Sequence, residues 1–222
     1  MKMLEPIRHI LATKRIVLAS ASPRRREILQ NIGLKFEVVP SQFEENLDKS
    51  SFSHPYEYVI TTARHKTLEV AKRLKNEKSM PDLVIGADTV VTMDNQIYEK
   101  PNDHQHAFEM LSRFSGRSHT VYSGVILLTP NMPKGPATPE GDGNAFNLKQ
   151  FHAATDVTFA PLSASTVWGY IETGEPMDKA GGYGIQGKGG TLIEGIHGDY
   201  FNVMGFPLHM FCTELVKLYQ GT

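Results

Sequence analysis

Residues 15–31 carry a strand, a tight turn and a helix in direct succession. Ile16-Val17-Leu18-Ala19 is a short apolar run of the kind found in buried strands. Ser20-Ala21-Ser22-Pro23 follows as a turn, with Ser22 placed to cap a helix and Pro23 at its first position. Arg24 to Gln30 continues the helix, and Gly33 lies just past its end. A buried strand feeding a capped helix is the working unit of α/β folds. The same turn presents hydroxyls and amide groups at a helix N-terminus, a natural anion site strengthened by guanidinium groups. Taken locally, an ordinary capped helix with a solvated basic face is the better explanation of these residues.

The rest of the chain mixes strands and helices without strict alternation. Strands are expected at 36–39, 83–87, 121–128 and 155–159 and near Leu192. Helices are expected at about 55–75, 103–113 and 163–173, and from Pro207 onward. Residues 90–98 read as a hairpin turning at Asp94-Asn95. Residues 130–145 hold four prolines and several glycines, and read as an exposed loop inserted in a single unit spanning 1–222. The pattern predicts a mixed-sheet α/β fold.

A length of 222 residues suffices for one large core or two closely joined lobes. A formal net charge of -1 argues against a protein that coats nucleic acid, so no stable nucleic-acid partner is expected. No window approaches the length of an apolar membrane span. The single cysteine, Cys212, sits in an apolar stretch and reads as a buried, inert thiol. Arg8 and His9 interrupt the N-terminal apolar stretch and spoil a signal peptide, so cytoplasm is the expected location.

Several motifs invite chemistry and fail on context. Gly182-Tyr183-Gly184-Ile185-Gln186-Gly187 matches the dinucleotide fingerprint, but it does not link a strand to a helix. Read as a Walker A loop, the same segment puts Gly189 where a serine or threonine is needed. His104 and His106 are two apart on a helix and point in different directions, so they read as surface histidines. His197 near Asp199 reads as a turn contact.

Further candidates are acidic and basic residues that, taken singly, would ordinarily be turn or surface residues. Asp88 follows a buried strand, where a carboxylate can hold a divalent ion or take a proton from water. Glu44 or Glu45 offers a second carboxylate. Lys66 and Lys100 are cations able to neutralise phosphate oxygens.

Together these segments resemble the Maf family of nucleotide pyrophosphatases. Leu18-Ala19-Ser20-Ala21-Ser22-Pro23-Arg24-Arg25 is similar to the family's N-terminal signature. Gly86-Ala87-Asp88-Thr89, Glu99-Lys100-Pro101 and Asp178 through Gly187 are similar to its later blocks, in the family's order. The wording is also similar to the Maf domain that some animals fuse to a methyltransferase-like domain.

The resemblance implies an inosine triphosphate pyrophosphatase-like fold, an elongated mixed sheet flanked by helices with two lobes around a central cleft. It implies hydrolysis of dTTP or UTP, and modified pyrimidine nucleotides, to the monophosphate and pyrophosphate. Ser20, Arg24, Glu45, Lys66, Asp88 and Lys100 would line the cleft, with Asp88 as proton acceptor. Arg24, Thr89 and Gln186 match positions tied to base preference. Glu45 and Asp88 would hold a divalent metal, Mg²⁺ or else Mn²⁺ or Co²⁺, and a homodimer is conceivable. A broader housecleaning pyrophosphatase, or a non-catalytic nucleotide- or nucleic-acid-binding regulator, are the alternatives.

Overall fold

The computed structural model describes residues 2–75, 77, 79–131 and 146–220. Seven strands form one sheet: β1 (Ile16–Leu18), β2 (Glu37–Val38), β3 (Leu83–Met93), β4 (Gln96–Tyr98), β5 (Ser118–Pro130), β6 (Phe146–Phe159) and β7 (Ile193–His197). The helices are α1 (Arg8–Leu11), α2 (Pro23–Asn31), α3 (Pro55–Leu74), α4 (His104–Phe114), α5 (Ala164–Ile171), α6 (Tyr200–Val203) and α7 (Leu208–Gln220). The strand order is β2-β1-β3-β5-β6-β7, with β4 hydrogen-bonded to β3. β2, β1 and β3 run parallel, and the pairs from β3 through β5 and β6 to β7 are antiparallel. The sheet is mixed, as the irregular alternation of elements predicts.

Side-chain alternation along the strands sorts the interior. Ile16 and Leu18 pack with Ile28 and Leu29 of α2 and Phe211 and Leu215 of α7. Val17 and Ala19 point the other way, against Ala63, Val70 and Leu74 of α3. Further along β3, Val91 and Met93 join a second core with α4 and α5, built around Phe114, Phe159 and Tyr170. Ile85 and Ala87 belong to the first core and Val91 to the second. Between them on the same face stands Thr89, opposite Ser123 in β5. The apolar pattern is broken by hydroxyls where the two cores meet. That break divides the molecule into two lobes.

Two glycines set how closely α3 lies on the sheet. A Cβ on Gly86 would stand 1.8 Å from Thr67 Oγ1, and one on Gly124 would stand 2.8 Å from the backbone nitrogen of Ile60. Gly124 is the partner of Asp88 in the ladder. Bare backbone at these points lets the helix bring Lys66 down to Asp88. Gly124→Ala is expected to destabilise the fold by roughly 1–3 kcal/mol, because helix backbone cannot swing aside for the methyl group. Thermal denaturation measures it, and an unchanged melting temperature would contradict the close-packing argument.

The hairpin turn is at Asp94 and Asn95, both left-handed with φ of 52° and 59°, as a two-residue type I′ turn requires. The loop expected at 130–145 lies, beyond Asn131, outside the described residues, and the strands flanking it pair directly within the one sheet. No helix among the described residues is long and apolar enough to cross a membrane.

Candidate active site

The break between the cores opens into a cleft of about 580 Å³. Parallel pairing of β1 with β3 puts the turn at 19–23 beside Asp88, pinned by Ala19 N donating to Ile85 O at 2.7 Å. From that turn α2 starts as expected: Ser22 Oγ accepts from Arg25 N at 3.4 Å, and Pro23 occupies the first turn. The structure brings all eight candidates to the cleft walls: Ser20, Arg24, Glu45, Lys66, Asp88, Thr89, Lys100 and Gln186.

At its centre Lys66 Nζ lies 2.8 Å from Asp88 Oδ1 and 2.8 Å from Glu45 Oε1. One ammonium thereby clasps two carboxylates from separate segments. Glu45, and not Glu44, is the residue in the wall. Its loop is strapped to α3 by Glu69, whose Oε2 accepts from Ser41 Oγ and Gln42 N, each at 3.0 Å. Asp88 is 7% exposed, and burial raises its pKa above the ordinary carboxylate value, opposed by the charges of Lys66 and Arg25.

Arg25 escaped the residue-by-residue reading. It is 9% exposed, and its guanidinium donates to Gly205 O at 2.9 Å, Ser20 Oγ at 3.0 Å and Thr89 Oγ1 at 2.9 Å. None of these acceptors is charged, and burial works against its positive charge while Asp88 supports it. A cation held only by neutral groups beside the cleft leaves positive potential for an anion to use. The Thr89 hydroxyl meets Arg25, Ser123 Oγ at 2.8 Å and Gly205 O at 3.2 Å, so it acts on the cleft through the framework it joins.

The outer cations differ in their engagement. Arg24 donates to Asp178 Oδ2 at 3.3 Å and to the Asp178 carbonyl at 3.4 Å. Lys100 is exposed and makes no ion pair or side-chain hydrogen bond among the described residues. Lys179, also in the wall, donates to Asp178 Oδ1 at 2.6 Å and Glu175 O at 2.5 Å.

The glycine-rich segment lies among short 3-10 turns, Ala180–Gly182 and Lys188–Leu192, with no strand leading into it. It does bind an anion, but its own. Glu175 accepts from Lys188 N and Gly189 N, each at 2.9 Å, and from Tyr170 OH at 3.0 Å. A Cβ on Gly187 would meet both Glu175 carboxylate oxygens at 2.6 Å. The glycines serve this close wrapping, and the wrapping presents Gln186 at the cleft.

Other motifs lie elsewhere. His106 Nδ1 accepts from Asn102 N at 3.2 Å in the first turn of α4, and neither His104 nor His106 reaches the cleft. Asp199 caps α6 by accepting from Phe201 N at 2.8 Å. Cys212 is buried, and burial pushes its thiol up to about 11. Among the described residues no three His, Cys, Asp or Glu side chains converge as a metal cage.

A family model described as Maf-like protein matches residues 15–218. The chain belongs to this family. The Maf match begins just before β1 and ends within α7, taking in the whole sheet and every wall of the cleft. A human protein named probable bifunctional dTTP/UTP pyrophosphatase/methyltransferase protein is 52% identical over 98% of this chain and 34% of its own length. This chain therefore spans about a third of that relative. A dTTP/UTP pyrophosphatase of Clostridium perfringens (strain 13 / Type A) is 46% identical over 93% of this chain and 95% of its own. A dTTP/UTP pyrophosphatase of Thermococcus kodakarensis is 43% identical over 88% of this chain and 92% of its own.

Proposed function

We propose that this chain hydrolyses UTP and dTTP between the α- and β-phosphates, releasing the nucleoside monophosphate and pyrophosphate. The observation that carries the reading is the Lys66 clasp on Asp88 and Glu45, set beside the N-terminus of α2 and the buried Arg25. The names of the Maf relatives supply the substrate class.

A triphosphate entering the cleft brings several negative charges to a wall of Arg24, Lys66 and Lys100. Arg24 exchanges Asp178 for phosphate oxygens, and Lys66 loosens its hold on the two carboxylates as it turns toward the substrate. Asp88 then positions the attacking water and accepts its proton, a role helped by burial that brings its pKa nearer neutrality. Water bonds to the α-phosphorus, the bond to the bridging oxygen breaks, and pyrophosphate leaves with that oxygen.

The donor set suits Mg²⁺, which characteristically takes one or two protein carboxylates and completes its shell with phosphate oxygens and water. Glu45 and Asp88 would hold the ion. Bound there, it would neutralise triphosphate charge and draw electron density from the phosphorus.

Pyrophosphate release from UTP, dTTP, CTP, ATP and GTP, with and without Mg²⁺, tests the reading. Metal-dependent release favouring UTP and dTTP supports it. Nucleotide binding with no release from any of the five would make the protein a binder. Lys100→Ala is expected to slow release about tenfold or more with no change in melting temperature, since the ammonium has no partner in the described structure. A parent-like rate in that variant would remove Lys100 from the phosphate clamp.

A further inference from the structure

Gln186 lines the cleft, and its Nε2 donates to Oε1 of Glu27, an exposed residue of α2 outside the cleft wall, at 2.8 Å. An ionised carboxylate has only acceptors, so the end of the amide turned toward it is the NH₂. The reversed amide would set two oxygens against each other. Glu27 takes one N–H of the amide and so fixes its orientation, with the carbonyl, Oε1, turned away and free to accept from a ligand.

That choice has a chemical consequence for the base. Uracil and thymine carry one ring N–H donor, at N3, between two carbonyl oxygens. A carbonyl offered by the protein can accept from that N3–H and from nothing else on the edge. Cytosine has a lone pair at N3, which the same carbonyl would repel, and its only donor on that edge is the amino group on C4, displaced from the position where uracil presents N3–H. Thymine's methyl group lies away from N3, so one contact serves both UTP and dTTP.

We propose that Glu27 is a specificity-determining positioning residue, which fixes the Gln186 amide so that the cleft selects bases with a proton at N3. The proposal rests on the reading of the chain as a UTP/dTTP pyrophosphatase and deepens it. Glu27 lies one helical turn after Arg24 on α2, and Arg24 grips Asp178. Two contacts therefore tie α2 to the segment bearing Gln186, so the amide is held against a fixed helix. In water the exposed Glu27–Gln186 contact is worth little. A base laid over it excludes solvent, and a mismatched pair of acceptors then becomes expensive.

The test compares kcat/KM for UTP and CTP in the parent, Glu27→Gln and Glu27→Lys, with melting temperatures measured alongside. Glutamine can offer either end to Gln186 and frees the amide to turn over, so the UTP-to-CTP ratio is expected to fall about tenfold. Lysine donates and draws Oε1 toward itself, leaving the NH₂ to meet the lone pair of cytosine, so the ratio is expected to fall further through a rise in CTP hydrolysis. If both variants lose activity on UTP and CTP equally, with the ratio unchanged, Glu27 merely ties the loop and the proposal is overturned. A parent that releases no pyrophosphate from UTP or dTTP would overturn the underlying function together with this inference. The two failures are thereby told apart.

Discussion

Asp88→Asn is expected to slow pyrophosphate release by roughly 10²- to 10⁴-fold while leaving the fold intact. Asparagine keeps the shape of the side chain, and its oxygen can still accept from Lys66, which retains Glu45 as a charged partner. What disappears is the negative charge, and with it both the proton acceptor and one arm of the carboxylate pair. The pH profile adds a sharper sign. Burial raises the Asp88 pKa in the metal-free protein and a cation bound there would lower it, so in the parent the rate should fall as pH drops through the range in which Asp88 takes up its proton. In Asp88→Asn that acid limb should flatten, because the titrating group is gone. A folded variant with near-parent turnover and an unchanged limb would take Asp88 out of the chemistry.

Arg25→Ala is expected to damage stability and activity together. The guanidinium bonds Gly205 O, Ser20 Oγ and Thr89 Oγ1, so it joins the turn before α2, strand β3 and the loop after α6. Its removal leaves buried acceptors without their donor where the cores meet, costing about 3 kcal/mol. At roughly 2–4 °C per kcal/mol for a domain of this size, the melting temperature should fall by about 6–12 °C. Pyrophosphate release should also drop, since Ser20 and Thr89 lose the group that positions them. Lysine should recover little of either, because one ammonium cannot span three acceptors held by a planar fork. Calorimetry and a turnover assay check both parts, and a stable, fully active Arg25→Ala would refute the keystone role.

The contrast between Arg24 and Arg25 shows what the sequence reveals and what it conceals. Local signals were strong where one segment determines its own form, as in the Ser22-Pro23 start of α2 and the Asp94-Asn95 turn. Arg24, Arg25 and Arg26 look alike as text. Helical phase separates them: Arg25 lies three and four residues before Ile28 and Leu29, all three buried on one face. The same spacing of Leu4, Ile7 and Leu11 marks an N-terminal segment that packs into the first core, although it reads only as a mildly apolar stretch. The first half of β6 was missed for the opposite reason. Residues 146–154 mix apolar and polar side chains without clean alternation and none of them is buried, and they form a strand because β5 offers a partner. Likewise nothing local to Glu45, Lys66 or Asp88 says that the three meet. Their meeting depends on α3 settling onto Gly86 and Gly124.

Hydrolysis of UTP in water enriched in heavy oxygen, followed by mass analysis of both products, tests the central claim most directly. Attack on the α-phosphorus beside Asp88 puts the label in UMP and leaves pyrophosphate unlabelled, and Asp88→Asn should slow the formation of both products alike, by the same roughly 10²- to 10⁴-fold. Label recovered in pyrophosphate, or release of single orthophosphate with UDP, would place the attack at another phosphorus and contradict the account.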